Sequence, residues 1–129
     1  MKYLKSYTLF ESSEESFESI FPGVIMDNIN DILSELDFID ISYKIKYINY
    51  YSNSDQSENP HRAVKIYLKD KYNRFFNYPD IEDVLLRLRD YLGGFEIDIE
   101  YEEEFQNIDE FIELYGSEEF YSLNIIIYK

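Results

Sequence analysis

The chain has 129 residues, of which 45% are hydrophobic and 19% aromatic, a composition that fits one folded domain and excludes an intrinsically disordered chain. It has no cysteine, which excludes disulfide bonds and thiolate metal sites, and no apolar run of the roughly 20 residues that a membrane-spanning helix needs. The 27 acidic residues outnumber the 12 basic ones and give a net charge of −15, which disfavours direct binding to nucleic acid or to an anionic membrane.

The first third of the sequence predicts two helices. Ser12 and Glu15 match the S-x-x-E capping pattern and Phe17 follows at helical spacing, so a short acidic helix is expected before Pro22 and Gly23 end it. The apolar residues of the segment 24–36 then recur on one stripe, with acidic and amide side chains opposite. This pattern predicts an amphipathic helix whose apolar face needs a sheet to cover.

Two strands joined by a long loop are predicted next. In residues 41–47, isoleucine and tyrosine alternate with serine and lysine, which is typical of a half-buried strand. Residues 64–69 alternate in the same way, and the segment 52–60 between the two is polar. We therefore predict a hairpin with a long loop, and its strands present four lysines on their outward face: Lys44, Lys46, Lys65 and Lys69.

The second half predicts two helix–strand pairs. Asp80 and Asp83, placed after Pro79, predict the start of a helix that glycines 93 and 94 end. Residues 95–101 alternate between apolar and acidic side chains and predict a strand. Asn107 and Glu110 predict the capped start of a short helix that a glycine at position 116 ends, and residues 121–128 close the chain as a strand.

These elements follow the order α-α-β-β-α-β-α-β and predict an α+β fold. Strands with one apolar and one polar face favour a four-stranded, mainly antiparallel sheet with the helices on one face. The domain is expected to span residues 12–129, because residues 1–10 carry two lysines and no acid. The segment 1–11 is interpreted as either a propeptide or an edge strand.

The third predicted strand differs from the first two in the charge of its outward face. Its outward residues are all acidic: Glu96, Asp98, Glu100 and Glu102. Cross-strand pairs of opposite charge stabilise a sheet by roughly 0.2 to 1 kcal/mol, whereas like charges directly opposite each other destabilise it. We therefore expect the acidic strand to lie beside a lysine strand.

No residue pattern in the sequence predicts a catalytic, metal or cofactor site. His61, the single histidine, follows a polar loop, and no nucleophile motif such as G-x-S-x-G accompanies it, so it is interpreted as a plain loop residue. The segment 27–31 resembles a calcium loop, but Ile29 stands where an oxygen ligand is needed and Ile32 where an EF-hand needs glycine. We predict a non-catalytic protein without a cofactor, and an enzyme with a carboxylate-based site remains the alternative.

A dense run of acidic residues is the candidate contact surface. A basic protein is its electrostatic complement, and a tyrosine in the run supplies contact area together with a hydroxyl group. The candidate partner-binding residues are Asp98, Glu100, Tyr101, Glu102, Glu103 and Glu104. A second interpretation is that the run imitates DNA phosphates and blocks a basic nuclease, as an immunity or antitoxin-like inhibitor does. The sequence leaves the partner's identity and the oligomeric state open.

The opening MKYLKSYTLFE, and Leu9, Phe10 and Glu11 in particular, resembles the N-terminal propeptides of internal head proteins in large tailed bacteriophages. In that family a lysine-containing, aromatic leader ends in Leu or Ile, any residue and Glu, where the prohead protease cuts. The resemblance implies cleavage after Glu11 and a location in the virion or the host cytoplasm. It makes this chain an expected phage accessory protein that acts by binding, as a packaged factor or as an inhibitor of a host protein.

Overall fold

The computed structural model describes residues 17–51 and 60–129, and residues 17–20 are helical. The described part contains three further α-helices and one 3-10 helix: α1 Gly23–Leu33, the 3-10 helix Ser34–Ile39, α2 Tyr78–Tyr91 and α3 Ile108–Tyr115. Its strands are β1 Ile41–Tyr50, β2 His61–Asp70, β3 Phe76–Asn77, β4 Glu96–Tyr101, β5 Glu104–Asn107, β6 Glu119–Phe120 and β7 Ser122–Tyr128. The described helices include none that is both long and apolar enough to cross a bilayer.

The main sheet has five strands in the order β1-β2-β7-β4-β5, and each strand is antiparallel to its neighbours. A separate two-stranded ladder joins β3 to β6. The predicted α+β fold with an antiparallel sheet is confirmed, but the predicted four strands and element order are wrong because β3, β5 and β6 were not anticipated. These strands have only two to four residues, too few for an alternating pattern to be recognised.

The last strand of the chain lies in the centre of the main sheet. β7 pairs with β2 on one side and with β4 on the other. Ile125, Ile126 and Ile127 are all buried, so both faces of β7 are apolar, which favours a central position. The prediction that the acidic strand lies beside a lysine strand is therefore wrong, because β7 separates β4 from β2.

The helices cover one face of the main sheet, as predicted. Side chains from that face, including Ile66, Ile99 and Leu123, form one hydrophobic cluster with the helices. The fully buried helical residues in this cluster are Ile29, Leu33, Leu36, Ile81, Leu85, Leu88 and Phe111. No helix of the described part covers the opposite face, which carries Lys65, Ile126 and Asp98 in one cross-strand row and is here called the open face.

The ends of the helices follow local sequence signals, with two corrections. Helix α2 is capped by Asn77, which forms a capping box with Asp80, so the helix begins before the predicted position. The predicted capping box of Asn107 and Glu110 is confirmed at α3. The predicted helix over 24–36 ends at Leu33, where the chain tightens into the 3-10 helix. The predicted cap at Ser12 and residues 52–59 of the predicted loop lie outside the described residues.

Candidate functional site

Asp98 lies on the open face, where it accepts hydrogen bonds from two tyrosines. The hydroxyl of Tyr50 donates to Oδ2 at 2.7 Å, and the hydroxyl of Tyr128 donates to the same atom at 3.3 Å. Burial, followed by the hydrogen bond to Asp98, raises the pKa of Tyr50 well above its usual value. Because Tyr50 belongs to edge strand β1 and Asp98 to β4, this bond spans β2 and β7. Asp98 therefore links β4 to the edge strand β1 across the open face.

Glu100, the second acid of β4, is also engaged inside the molecule. Its Oε1 accepts a hydrogen bond from Asn124 Nδ2 at 3.1 Å and lies 3.7 Å from Lys65 Nζ. The sequence placed Asp98 and Glu100 on a fully exposed strand face, and this was wrong, because both side chains are half-buried by residues from other strands.

The three following glutamates form the tip of the β4–β5 hairpin. Glu102 and Glu103 have φ of 53° and 65°, so both residues of this two-residue turn are left-handed, as in a type I′ turn. Glu104 begins β5 and accepts a hydrogen bond from the Tyr115 hydroxyl at 3.1 Å. All three glutamates are exposed, and they are the part of the predicted acidic run that solvent reaches.

Tyr101 lies on the helical face of the sheet, away from Asp98 and Glu100. Its ring meets those of Tyr115 and Phe120 edge-on, with centroids 5.1 Å and 5.0 Å away. Burial raises the pKa of Tyr101, and its contact with Glu102 adds to this shift. The predicted contact residues therefore fall into three environments: the open face, the hairpin tip and the edge of the core.

His61 is the first residue of β2, not a loop residue as the sequence suggested. Its Nδ1 lies 3.1 Å from the carbonyl oxygen of Lys129, and its ring packs 4.8 Å from that of Tyr128. These contacts tie the start of β2 to the end of the chain. In the described residues, no three His, Asp or Glu side chains are close enough together to hold a metal ion.

A group of large apolar side chains is exposed at one end of the sheet, where β1 begins and β2 ends. We call it the aromatic end, and its residues are Phe38, Ile39, Tyr72, Phe75 and Tyr121. Phe38 is 88% exposed, Tyr72 66% and Phe75 63%. The rings of Phe75 and Tyr121 lie 6.0 Å apart in an edge-on arrangement. Side chains of this size are normally the first to be buried, so their shared exposure marks this end of the molecule.

The turn that carries Tyr72 and Phe75 is built around one buried carboxylate. Asp70 Oδ1 accepts from the backbone N–H of Tyr72 at 2.7 Å and from Arg74 Nε at 3.1 Å. Asp70 Oδ2 accepts from Arg74 Nη2 at 3.1 Å. The guanidinium of Arg74, followed by the backbone donors, holds the pKa of Asp70 below its usual value. Two-pronged bonding of this kind fixes the geometry of the turn.

Charged groups surround the aromatic end and pair with one another. Arg74 lies 5.1 Å from the centre of the Tyr72 ring, and Lys69 lies 4.9 Å from that of Tyr121, both in cation–π contact. Lys71 Nζ is 3.2 Å from Asp37 Oδ1, on the 3-10 helix that carries Phe38. The end thus holds equal numbers of acidic and basic groups: Asp37, Asp40 and Asp70 with Lys69, Lys71 and Arg74.

Sequence reasoning did not identify the aromatic end. Its members come from the 3-10 helix, the turn after β2 and the residue between β6 and β7, and no single periodic pattern contains them. One local signal was present, because Tyr72 and Phe75 stand in a short segment that fits neither the strand before it nor the helix after it. Large aromatic residues outside any predicted element are candidates for exposed contact residues.

No protein-family model, no curated protein and no solved structure matches this chain. The function is therefore inferred from the geometry of the chain itself. That geometry offers a rigid, exposed group of aromatic side chains framed by satisfied ion pairs, which is suited to contact with another protein.

Proposed function

We propose that this chain is a non-catalytic protein-binding domain that docks on a partner protein through the aromatic end, as an accessory factor or as an inhibitor of the protein it binds. The observation that carries the proposal is the joint exposure of Phe38, Tyr72 and Phe75 at one end of the fold. Exposed apolar side chains grouped at one end of a fold are typical of interaction sites, and aromatic residues and arginine dominate the energetics of interfaces.

The rigidity of the turn supports a role in binding. Ordering a flexible loop on association costs roughly 0.5 to 1.5 kcal/mol for each side chain immobilised. Here the backbone of Tyr72 and the guanidinium of Arg74 are already held by Asp70. The Arg74 guanidinium also restrains the Tyr72 ring. The contact surface is therefore ordered before a partner arrives, and less binding energy is lost.

The charge distribution indicates the chemistry of the partner. The aromatic end is charge-balanced, so the net charge of −15 is carried by the rest of the chain. A partner with an apolar pocket framed by lysine and arginine satisfies both features, because the pocket accepts the aromatic rings and the frame is attracted by the surrounding acids. The resemblance at Leu9 to Glu11, which lies outside the described residues, favours a partner in a phage head or an infected host.

The test compares two double variants that each replace two exposed apolar side chains by serine. Phe38→Ser with Phe75→Ser alters the aromatic end, and Val24→Ser with Leu114→Ser alters exposed apolar residues elsewhere. A protein captured by the wild type is purified, and its affinity for each variant is measured by calorimetry. We expect at least a tenfold weaker affinity for the aromatic-end variant and an unchanged affinity for the control. Equal affinity for both variants would overturn the proposal.

The same measurement separates the proposed interface from that of a DNA-mimicking nuclease inhibitor. Glu102→Gln, Glu103→Gln and Glu104→Gln remove the exposed charges of the hairpin tip, and Glu100 is left intact because it bonds to Asn124. If the aromatic end is the interface, the tip variant should lose less affinity than the aromatic-end variant, and its affinity should depend less on salt than that of the wild type. Loss of binding in the tip variant, with full binding by the aromatic-end variant, would favour the inhibitor.

A further inference from the structure

We infer that the free edge of β1 is a second binding site, which takes an extended acidic peptide as an added β-strand. Strand β1 is ten residues long and lies at the edge of the main sheet. Among the described residues it pairs only with β2. Every second backbone N–H and C=O group along β1 therefore points away from the sheet, which is the template that strand addition uses.

Two lysines stand along this edge. Lys44 and Lys46 project on the open face, and neither forms an ion pair with a described residue. Lys46 lies directly opposite Lys65 in the register of β1 and β2, and like charges in that position destabilise a sheet. In a chain with 27 acids, this local concentration of positive charge is the reverse of the overall charge.

The lysines line a concavity that reaches from the edge into the open face. Its volume is about 480 Å³, and its wall is formed by Lys44, Ile45, Lys46, Lys65, Tyr67 and Asn124. Lysines on an edge strand commonly protect it from unwanted pairing, and this protective role explains Lys44 and Lys46 alone. Lys65 is engaged by Glu100, but Tyr67 continues the wall beside Lys44 on the neighbouring strand, which protection of the edge does not require. The wall favours an anionic occupant over mere protection.

The alternation of side chains along β1 predicts which residue types the peptide should carry on each face. Side chains of an added strand lie next to those of β1 on each face, so those on the open face would meet Lys44 and Lys46 and should be acidic. Those on the other face would meet the half-buried Tyr43 and Ile45 and should be apolar. The peptide chemistry is therefore an alternation of acidic and apolar residues.

A contact between a lysine and an acid already occurs on the open face, across the intervening strand β7. Strand β4 alternates isoleucine with acids, and its Glu100 lies 3.7 Å from Lys65 on the open face. The remaining acids of the molecule repel an acidic peptide only over short range at physiological salt, where the Debye length is about 8 Å. The glutamates of a bound peptide would lie closer to Lys44 and Lys46 than this Debye length, so their attraction to the lysines is only weakly screened.

The test uses a fluorescent seven-residue peptide of alternating Val and Glu, titrated with the full chain at physiological salt. We expect binding by the wild type and at least a tenfold loss for Lys44→Glu with Lys46→Glu. The control, Arg89→Glu with Lys129→Glu, makes the same change in net charge away from the edge of β1 and should bind normally. Equal affinity for the two double variants would overturn the proposal.

Two further probes test the mode of binding. A peptide methylated on those alternate backbone nitrogens that would face β1 keeps its charges but cannot donate hydrogen bonds to β1. Strand addition therefore predicts a tenfold or greater loss of affinity, whereas purely ionic contact predicts no loss. A peptide with its three glutamates in one block should also bind more weakly.

The Phe38→Ser and Phe75→Ser variant should keep full peptide affinity, because this site is independent of the aromatic end. If Lys46→Glu instead abolished self-association, the occupant would be a second copy of this chain, and the peptide proposal would fail.

Discussion

The carboxylate of Asp70 and the guanidinium of Arg74 meet through two parallel hydrogen bonds, each 3.1 Å long. Asp70 is only 5% exposed, whereas more than half of the Arg74 side chain remains in contact with solvent. The buried partner therefore fixes the exposed one, and the turn between them carries Tyr72 outward. This relationship holds the short loop in one conformation, in which Tyr72 is exposed.

Replacing Asp70 by Asn should lower the melting temperature at neutral pH and also weaken partner binding. The folded-state pKa of Asp70 is lowered by Arg74, so its stabilising effect is present above about pH 4, the usual pKa of an unfolded aspartate. The effect is lost as the pH falls through the folded-state pKa. Thermal melts from pH 3 to 7 should thus show a gap between wild type and variant that closes in acid. Asp37→Asn, which removes an exposed acid of the same surface, is the control, and a gap independent of pH would contradict this account.

Replacing Tyr50 by Phe should destabilise the fold by about 1 to 2 kcal/mol, because the Asp98 carboxylate loses its shorter hydrogen bond. The bond from Tyr128 remains and limits the loss. Urea unfolding measures the change in the free energy of unfolding. Tyr51→Phe removes the hydroxyl of an exposed neighbour and should change that free energy by less than about 0.5 kcal/mol. Equal losses in the two variants would show that the contact between β1 and β4 contributes nothing.

The longer elements of this fold were predictable because their side chains repeat with a fixed period. The apolar stripe of α2 and the alternation in β4 each indicate which face of the element is buried. The ladder of β3 and β6 was not predictable, because Phe76 pairs with Phe120 over a long sequence separation and each strand has two residues. Its formation depends on where the rest of the chain places these two segments.

The candidate sites were harder to predict, since exposure is a property of the assembled molecule. Asp98 looked like a surface acid, but Tyr50 and Tyr128 reach it from distant parts of the sequence. Phe38 belongs to no predicted element, and it lies in the 3-10 helix that the left-handed Asp40 ends, with its side chain 88% exposed. A sequence pattern gives the face on which a residue lies, and tertiary contacts decide what covers it.

The β4–β5 hairpin should become more stable when its turn is changed from Glu102 and Glu103 to Asn and Gly. Left-handed backbone costs roughly 1 to 2 kcal/mol for an ordinary residue, and Asn-Gly is the preferred pair in a type I′ turn. We expect the free energy of unfolding to rise by about 1 to 2 kcal/mol. The same pair placed at Glu118 and Glu119 removes equal charge from residues without positive φ and should give no gain. A matching gain there would assign the effect to charge rather than to backbone strain.

The N-terminal resemblance predicts a processing event. If the chain is packaged in a phage head, its mature form should begin at Ser12, because the cut is expected after Glu11. Intact-mass and N-terminal analysis of the protein from purified virions checks this prediction. Glu11→Gln should leave the chain uncut, whereas Glu14→Gln should not affect cleavage. An intact Met1 in the wild-type virion protein would count against packaging by this route.

Replacing Lys46 by Glu should stabilise the fold while it weakens binding of an acidic peptide at the edge of β1. Lys46 lies directly opposite Lys65, so the substitution converts a repulsive cross-strand pair into an attractive one, worth roughly 0.2 to 1 kcal/mol. Lys44→Glu makes the same change in charge opposite Tyr67 and should give no such gain. Urea unfolding at low salt, where exposed pairs are least screened, compares the two variants. A lower stability for Lys46→Glu than for Lys44→Glu would show that Glu100 already neutralises Lys65, so that the pair of lysines is not repulsive.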